Sequence, residues 1–126
     1  MPVATLDHYS LECGDLEATR AFYCDVLGLS EGFRPGFDFP GHWLYCGGAP
    51  VVHLMKHAGR QRPVSETGRL DHIAFNATDP EGVVARLEAR GIAFRRNRVP
   101  DIDLTQIFVR DPDGLQVELN FRGTSS

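Results

Sequence analysis

Long apolar runs are missing from this sequence. No segment is long enough to span a membrane, and the opening Met-Pro-Val-Ala-Thr-Leu-Asp-His has neither the basic region nor the apolar core of a signal peptide. Membrane partners are therefore not expected. Excess positive charge is missing too. Thirteen Lys and Arg stand against 17 Asp and Glu, a formal net charge of -4, so no nucleic-acid partner is expected. Cysteine is scarce. Cys13, Cys24 and Cys46 are irregularly spaced, which fits neither a disulfide framework nor a zinc finger. Reduced thiols in a cytoplasm are the simplest reading.

What is present is a repeat. The 126 residues suffice for a single domain with a real core. Leu70-Asp71-His72-Ile73-Ala74-Phe75 echoes Leu6-Asp7-His8-Tyr9-Ser10-Leu11, 64 residues earlier. Behind each motif stands an acidic helix cap, Asp15 and Asp79. Each helix ends at a Gly before an apolar residue, Gly28-Leu29 and Gly91-Ile92. Each half closes on a strand-like triplet, Val52-His53-Leu54 and Val117-Glu118-Leu119. These offsets of 63 to 65 residues mark a duplicated unit. Two modules related by a pseudo-two-fold axis would bring corresponding positions together, and those positions are His8, His53, His72 and Glu118.

Patterning predicts the elements. Residues 3–13 alternate as a strand, with Leu6, His8 and Ser10 on one face. Asp15 caps a helix over 16–27, stopped by Gly28. Short strands are expected at about 30–34 and 42–46, around a loop with Pro35, Gly36 and Pro40, and a fourth strand at 50–57. Residues 58–68 read as the linker between module one, about 3–57, and module two, about 69–122. In module two a strand over 69–78 leads to Asp79-Pro80-Glu81, an N-cap followed by Pro at N1. That helix runs to about Arg90, with Val83, Val84 and Leu87 inward and Ala85 beside them. Strands follow at 92–97, 105–110 and 115–121, with turns near Pro100-Asp101 and at Asp111-Pro112-Asp113-Gly114. Each half reads β-α-β-β-β, an α+β fold.

Two imidazoles and a carboxylate suit a borderline divalent metal and leave positions open for water and substrate. In a strand, residues i and i+2 share a face, so Glu118 lies with Gln116 and Asn120, while Val117 and Leu119 form the core face. His8, His72 and Glu118 are the expected ligands. His53 is either a fourth ligand or a residue of the substrate pocket. His42 and His57 read as surface or pocket-rim residues. Phe33, Phe37, Phe39 and Trp43 either line an apolar pocket wall or pack in a core or dimer contact. Arg95, Arg96 and Arg98 read as a solvated strand edge or as anion-binding cations.

With those residues in view, the chain resembles the vicinal oxygen chelate superfamily, which includes glyoxalase I, fosfomycin-resistance thiol transferases, bleomycin-resistance proteins and extradiol dioxygenases. The resemblance covers about residues 4–122. Its most specific part is the ending Gln106-Ile107-Phe108-Val109-Arg110-Asp111-Pro112-Asp113-Gly114-Leu115-Gln116-Val117-Glu118-Leu119. It implies paired βαβββ modules, a metal in a cupped mixed sheet, and a homodimer. It also implies that His8, His72 and Glu118 bind one divalent ion (Zn, Ni, Mn, Co or Fe) and that Glu118 moves a proton. Position 53, usually Glu in glyoxalase I, is His here. Glu12 and His57 replace residues that hold glutathione there, which speaks against a glutathione hemithioacetal. An extradiol dioxygenase would use the same triad on Fe(II), with Tyr45, His53 or His57 as helpers. Tyr45, Trp43 and His57 are thus the expected substrate contacts. The leading expectation is a metal-dependent isomerase, lyase or thiol transferase acting on a small oxygenated molecule. The competing one is a drug- or metabolite-sequestering protein of the bleomycin-resistance type.

Overall fold

The computed structural model describes residues 6–56, 70 and 72–123. The expected linker at 58–68 and His57 lie outside the described residues. The chain forms two compact units, Met1–Arg62 and Pro63–Ser126.

In the first unit, strand β1 (Tyr9–Cys13) leads to helix α1 (Leu16–Ala21), and then come β2 (Ser30–Gly32), β3 (Gly41–Cys46) and β4 (Ala49–Lys56). The sheet order is β1-β4-β3-β2, with β1 parallel to β4 and the other pairs antiparallel. In the second unit β5 (His72–Asn76), helix α2 (Pro80–Ala89), β6 (Phe94–Val99), β7 (Leu104–Arg110) and β8 (Gln116–Arg122) repeat that plan in the order β5-β8-β7-β6. Two four-stranded mixed sheets with few helices make the fold α+β, as the repeat implied. Among the described residues no helix is long and apolar enough to cross a membrane.

The helix starts follow from their caps. Asp15 accepts from the Ala18 amide at 3.0 Å, and Asp79 from the Gly82 amide at 3.1 Å. Each satisfies an amide that has no partner within its helix. Asp79 adopts a left-handed conformation, φ 61°, and a β-carbon at position 82 would displace its carboxylate from the capping position. Gly28 and Gly91 stop the helices at φ 88° and 65°.

Three details depart from expectation. β1 begins at Tyr9, because its ladder with β4 begins at Tyr9–Val52; His8 stands just before the strand. The first helix continues through Phe22–Val26 in the wider π form, where the Leu27 amide reaches back to the Phe22 carbonyl. In α2, Pro80, Val83 and Leu87 are buried and Val84 half-buried, but Ala85 is exposed.

Each sheet has one buried face. Leu44, Val52 and Leu54 form it in the first unit, where α1 contacts β3 and β4. In the second, Ile107, Val109, Val117 and Leu119 are buried together with Val83 and Leu87 of α2. The β7–β8 hairpin that carries this face is closed by Asp111. Its carboxylate accepts from the amides of Asp113 and Leu115, both at 2.9 Å, and it is only 5% exposed. Asp111→Ala leaves the buried Leu115 amide without this acceptor. We expect a loss of about 1–3 kcal/mol, read as a lower urea midpoint at unchanged slope.

Candidate functional site

Directly opposed residues on neighbouring strands share a face. On the open face of the first sheet, Ser10, His53, Trp43 and Gly32 stand opposite one another in one row. On the second, the corresponding row is Ala74, Glu118, Phe108 and Arg95. The rows correspond at offsets of 63 to 65 residues. The duplication therefore holds at the level of strand register. His53 and Glu118 occupy one slot, and each faces an aromatic ring.

In the first unit the His8 ring stacks on His53, with centroids 3.8 Å apart and planes at 15°. His53 stacks in turn on Trp43 at 4.0 Å and 8°. Each imidazole is oriented through one nitrogen. His8 Nδ1 shares a proton with Asp7 Oδ2 at 2.7 Å, and His53 Nε2–H donates to the Pro50 carbonyl at 2.9 Å. With those protons in place, His8 Nε2 and His53 Nδ1 carry the lone pairs. Burial lowers the His53 pKa from 6.5, and the neighbouring His8 lowers it further. His53 is therefore held neutral, the form that binds metals. Below pH 6.5 the unfolded chain takes up a proton that the native ring resists, so this residue's contribution to stability falls as pH falls. Proton NMR should find His53 titrating below 6.5. His8→Gln should move its midpoint part of the way back up, because burial, the larger cause, remains.

In the second unit His72 Nε2 lies 3.5 Å from Glu118 Oε1. The Glu118 side chain is 14% exposed and that of His72 41%. Gln106 donates from Nε2 to Glu118 Oε2 at 3.1 Å and to Asn120 Oδ1 at 3.3 Å. Asn97 donates in turn to Gln106 Oε1 at 3.0 Å. Glu118 is thus held by a chain of amides running along the open face.

The expected ligands are therefore gathered as two pairs, His8 with His53 and His72 with Glu118. Among the described residues, no three His, Cys, Asp or Glu side chains within either unit form a ligand cluster. Trp43 lies in the ring stack. The Tyr45 hydroxyl donates to the Phe33 carbonyl at 2.7 Å, and its ring lies over Gly32, where a β-carbon would come within 2.7 Å of it. His42 is engaged elsewhere, with Nδ1 2.6 Å from Glu31 and Nε2 2.9 Å from Glu17, tying β3 to β2 and α1. Phe33, Phe37 and Phe39 are exposed, and Arg34 lies over the rings of the last two. Sequence reasoning assigned no role to Gln106, Asn97 or Phe108. The signal was available: counting back from the Asp111–Gly114 turn pairs Phe108 with Glu118 and Gln106 with Asn120.

A sequence profile of the Glyoxalase/Bleomycin resistance protein/Dioxygenase superfamily matches residues 5–119. The chain belongs to this superfamily. It is 30% identical over 123 residues to "Glyoxylase I 4" of Arabidopsis thaliana, spanning 93% of this chain and 70% of the plant protein. It is 34% identical over 118 residues to protein YaeR of Escherichia coli (strain K12), spanning 89% and 92%. The crystal structure of lactoylglutathione lyase from Agrobacterium tumefaciens matches with a TM-score of 0.67 at 26% identity, over 96% of each chain. Members of the glyoxalase superfamily typically use a divalent metal. In each pair, taken by itself, the donor chemistry is of the kind such an ion takes. The donor atoms are imidazole nitrogen and carboxylate oxygen, and His8, His53 and Glu118 are each oriented by a hydrogen bond from behind.

Proposed function

We propose that this chain is a divalent-metal-dependent enzyme of the glyoxalase type acting on a small oxygenated substrate, by isomerase, lyase or thiol-transfer chemistry. The observation that carries the reading is the register match, which sets His53 and Glu118 in one slot beside His8 and His72. A lone histidine in a strand is usually structural, but two matched slots filled with ligand chemistry call for another explanation.

In this reading His8, His53, His72 and Glu118 serve one ion. The two pairs come from the two modules of one chain or from two chains of a homodimer. A bound divalent ion supplies Lewis acidity toward adjacent substrate oxygens. Glu118 takes up and returns a substrate proton at Oε1, while Gln106 keeps Oε2 in place. The Trp43–His53 stack and Tyr45 wall off one side of the substrate. Three irregularly spaced cysteines, Cys13, Cys24 and Cys46, support a reducing, cytoplasmic setting.

A second reading has one observation in its favour. The His8–His53–Trp43 stack and the exposed Phe37 and Phe39 rings suit a protein that sequesters a flat drug or metabolite. Elemental analysis of the tag-free chain separates the two. About one divalent ion per site, lost in His72→Ala, is the result expected of the enzyme. Iron would favour extradiol dioxygenase chemistry, whereas nickel or zinc would favour an isomerase or lyase. No metal after reconstitution with Zn, Ni, Mn, Co and Fe in turn overturns the ligand assignment and leaves sequestration in front.

A further inference from the structure

The second unit has a hollow of about 500 Å³ on its sheet, which neither His72 nor Glu118 lines, but whose Gln116 and Phe108 stand opposite them in strand register. Among the described residues its wall includes Arg95, Phe108, Arg110 and Gln116, and no acidic residue. Strand register puts these four side chains on the open face. Arg95 stands opposite Phe108, which stands opposite Glu118. Arg110 stands opposite Gln116, which stands opposite His72. Two adjacent rows thus each run from an arginine to an expected ligand.

The three arginines of β6 have separate fates. Arg96 and Arg98 share the alternation of the buried face. Arg96 donates to Glu81 of α2 at 2.7 Å, and Arg98 to Asp103 and Thr105. Arg95 points the other way, with its guanidinium 4.2 Å over the Phe108 ring. Among the described residues Arg95 has no carboxylate partner. Arg110 has none either, and is anchored by one donor on the Gly114 carbonyl at 2.8 Å. An arginine on an aromatic face is ordered before a ligand arrives, and its edge remains available for a bidentate oxyanion. The strand spacing sets Arg95 roughly 10 Å from Glu118 between backbones, a span that two facing side chains and a small ligand can fill. In the first unit Gly32 occupies the slot of Arg95, and the Tyr45 ring covers it. The cation therefore belongs to one module alone.

We propose that Arg95 and Arg110 seat an anionic group of the substrate, a carboxylate or phosphonate, with the Phe108 ring as its floor. The substrate class is then a small oxygenated acid whose chelating oxygens lie toward His72 and Glu118. This deepens the function proposed above and rests on it for the chelating end only.

The test is binding of methylphosphonate and of lactate to the full chain, as purified and again after removal of metal by chelation. Arginine Nε–Hε signals in ¹H–¹⁵N spectra report the site. A saturable shift at Arg95 is expected with one or both probes, and the tighter probe identifies the anion. Arg95→Gln should weaken binding by about tenfold or more. Arg96→Gln, on the other face, should leave it unchanged. Arg95→Lys keeps the charge without the planar fork and should fall between, and it serves as the variant if Arg95→Gln does not fold. Equal binding by wild type and Arg95→Gln, or no saturable shift with either probe, overturns the proposal. Because the chelated chain is also measured, loss of the metal reading leaves this result intact, and the converse holds.

Discussion

Glu118→Gln is expected to abolish the metal binding proposed for this chain while leaving the fold intact. The substitution keeps the shape of the side chain and replaces a charged oxygen ligand by a weak one. Gln106 can still donate to the new amide oxygen where it now meets Glu118 Oε2. The unfolding midpoint should therefore stay level or rise, because a largely buried carboxylate has gone. Metal affinity should fall by more than about a hundredfold, beyond the usual cost of losing an outer partner. Gln106→Leu gives the graded comparison. It removes that outer partner and should cost about 10- to 100-fold. Isothermal titration with Zn or Ni reads both variants. Wild-type affinity in Glu118→Gln would leave the carboxylate without a role at the metal and return it to a hydrogen-bonded place in the amide chain.

Leu87→Ala is expected to be the most destabilising of the single changes considered. Leu87 has no exposed surface and lies on the inward side of α2 with Val83 and Pro80. Deleting its isobutyl group removes buried apolar contact and leaves a cavity, at a cost of about 2–5 kcal/mol. A domain of this size has a total stability of about 5–15 kcal/mol, so the loss is a large share of it. Ile102→Ala is the internal control. Ile102 is 58% exposed on the turn after β6, and its truncation should stay within about 0.5 kcal/mol. Urea unfolding followed by circular dichroism measures both. Equal midpoints for the two variants would mean that α2 does not share in the cooperative core.

Much of the architecture was legible because its signals are local. Asp15 and Asp79 start helices through their own side chains, and Gly28 and Gly91 end them through a backbone conformation that glycine adopts without strain. The Asp111–Gly114 turn sets the β7–β8 register, and with it the face on which Glu118 stands. The repeat by itself makes His8 and His72, and His53 and Glu118, corresponding positions. Other features depend on partners distant in sequence. The start of β1 depends on where β4 offers a ladder, which is why His8 precedes the strand. The π turn at Phe22–Val26 adds a residue to the helix where Phe22, Tyr23 and Val26 are buried, an adjustment that a pattern of period 3.6 does not record.

The same division runs through the site. Residue types, repeat spacing and strand parity were enough to nominate the ligands and to set Glu118 opposite the core residues Val117 and Leu119. They were not enough to choose among Arg95, Arg96 and Arg98. That choice depends on the β6–β7 register and on Glu81, which comes 15 residues before Arg96 in the chain and meets it only after α2 has folded back. Nor could they order His8, His53 and Trp43 as one stack of rings, because three different segments contribute to it. Local chemistry decides which groups exist and which way a strand turns them. Packing between distant segments decides which of those groups meet, and at this site the meeting sets what the chain can bind.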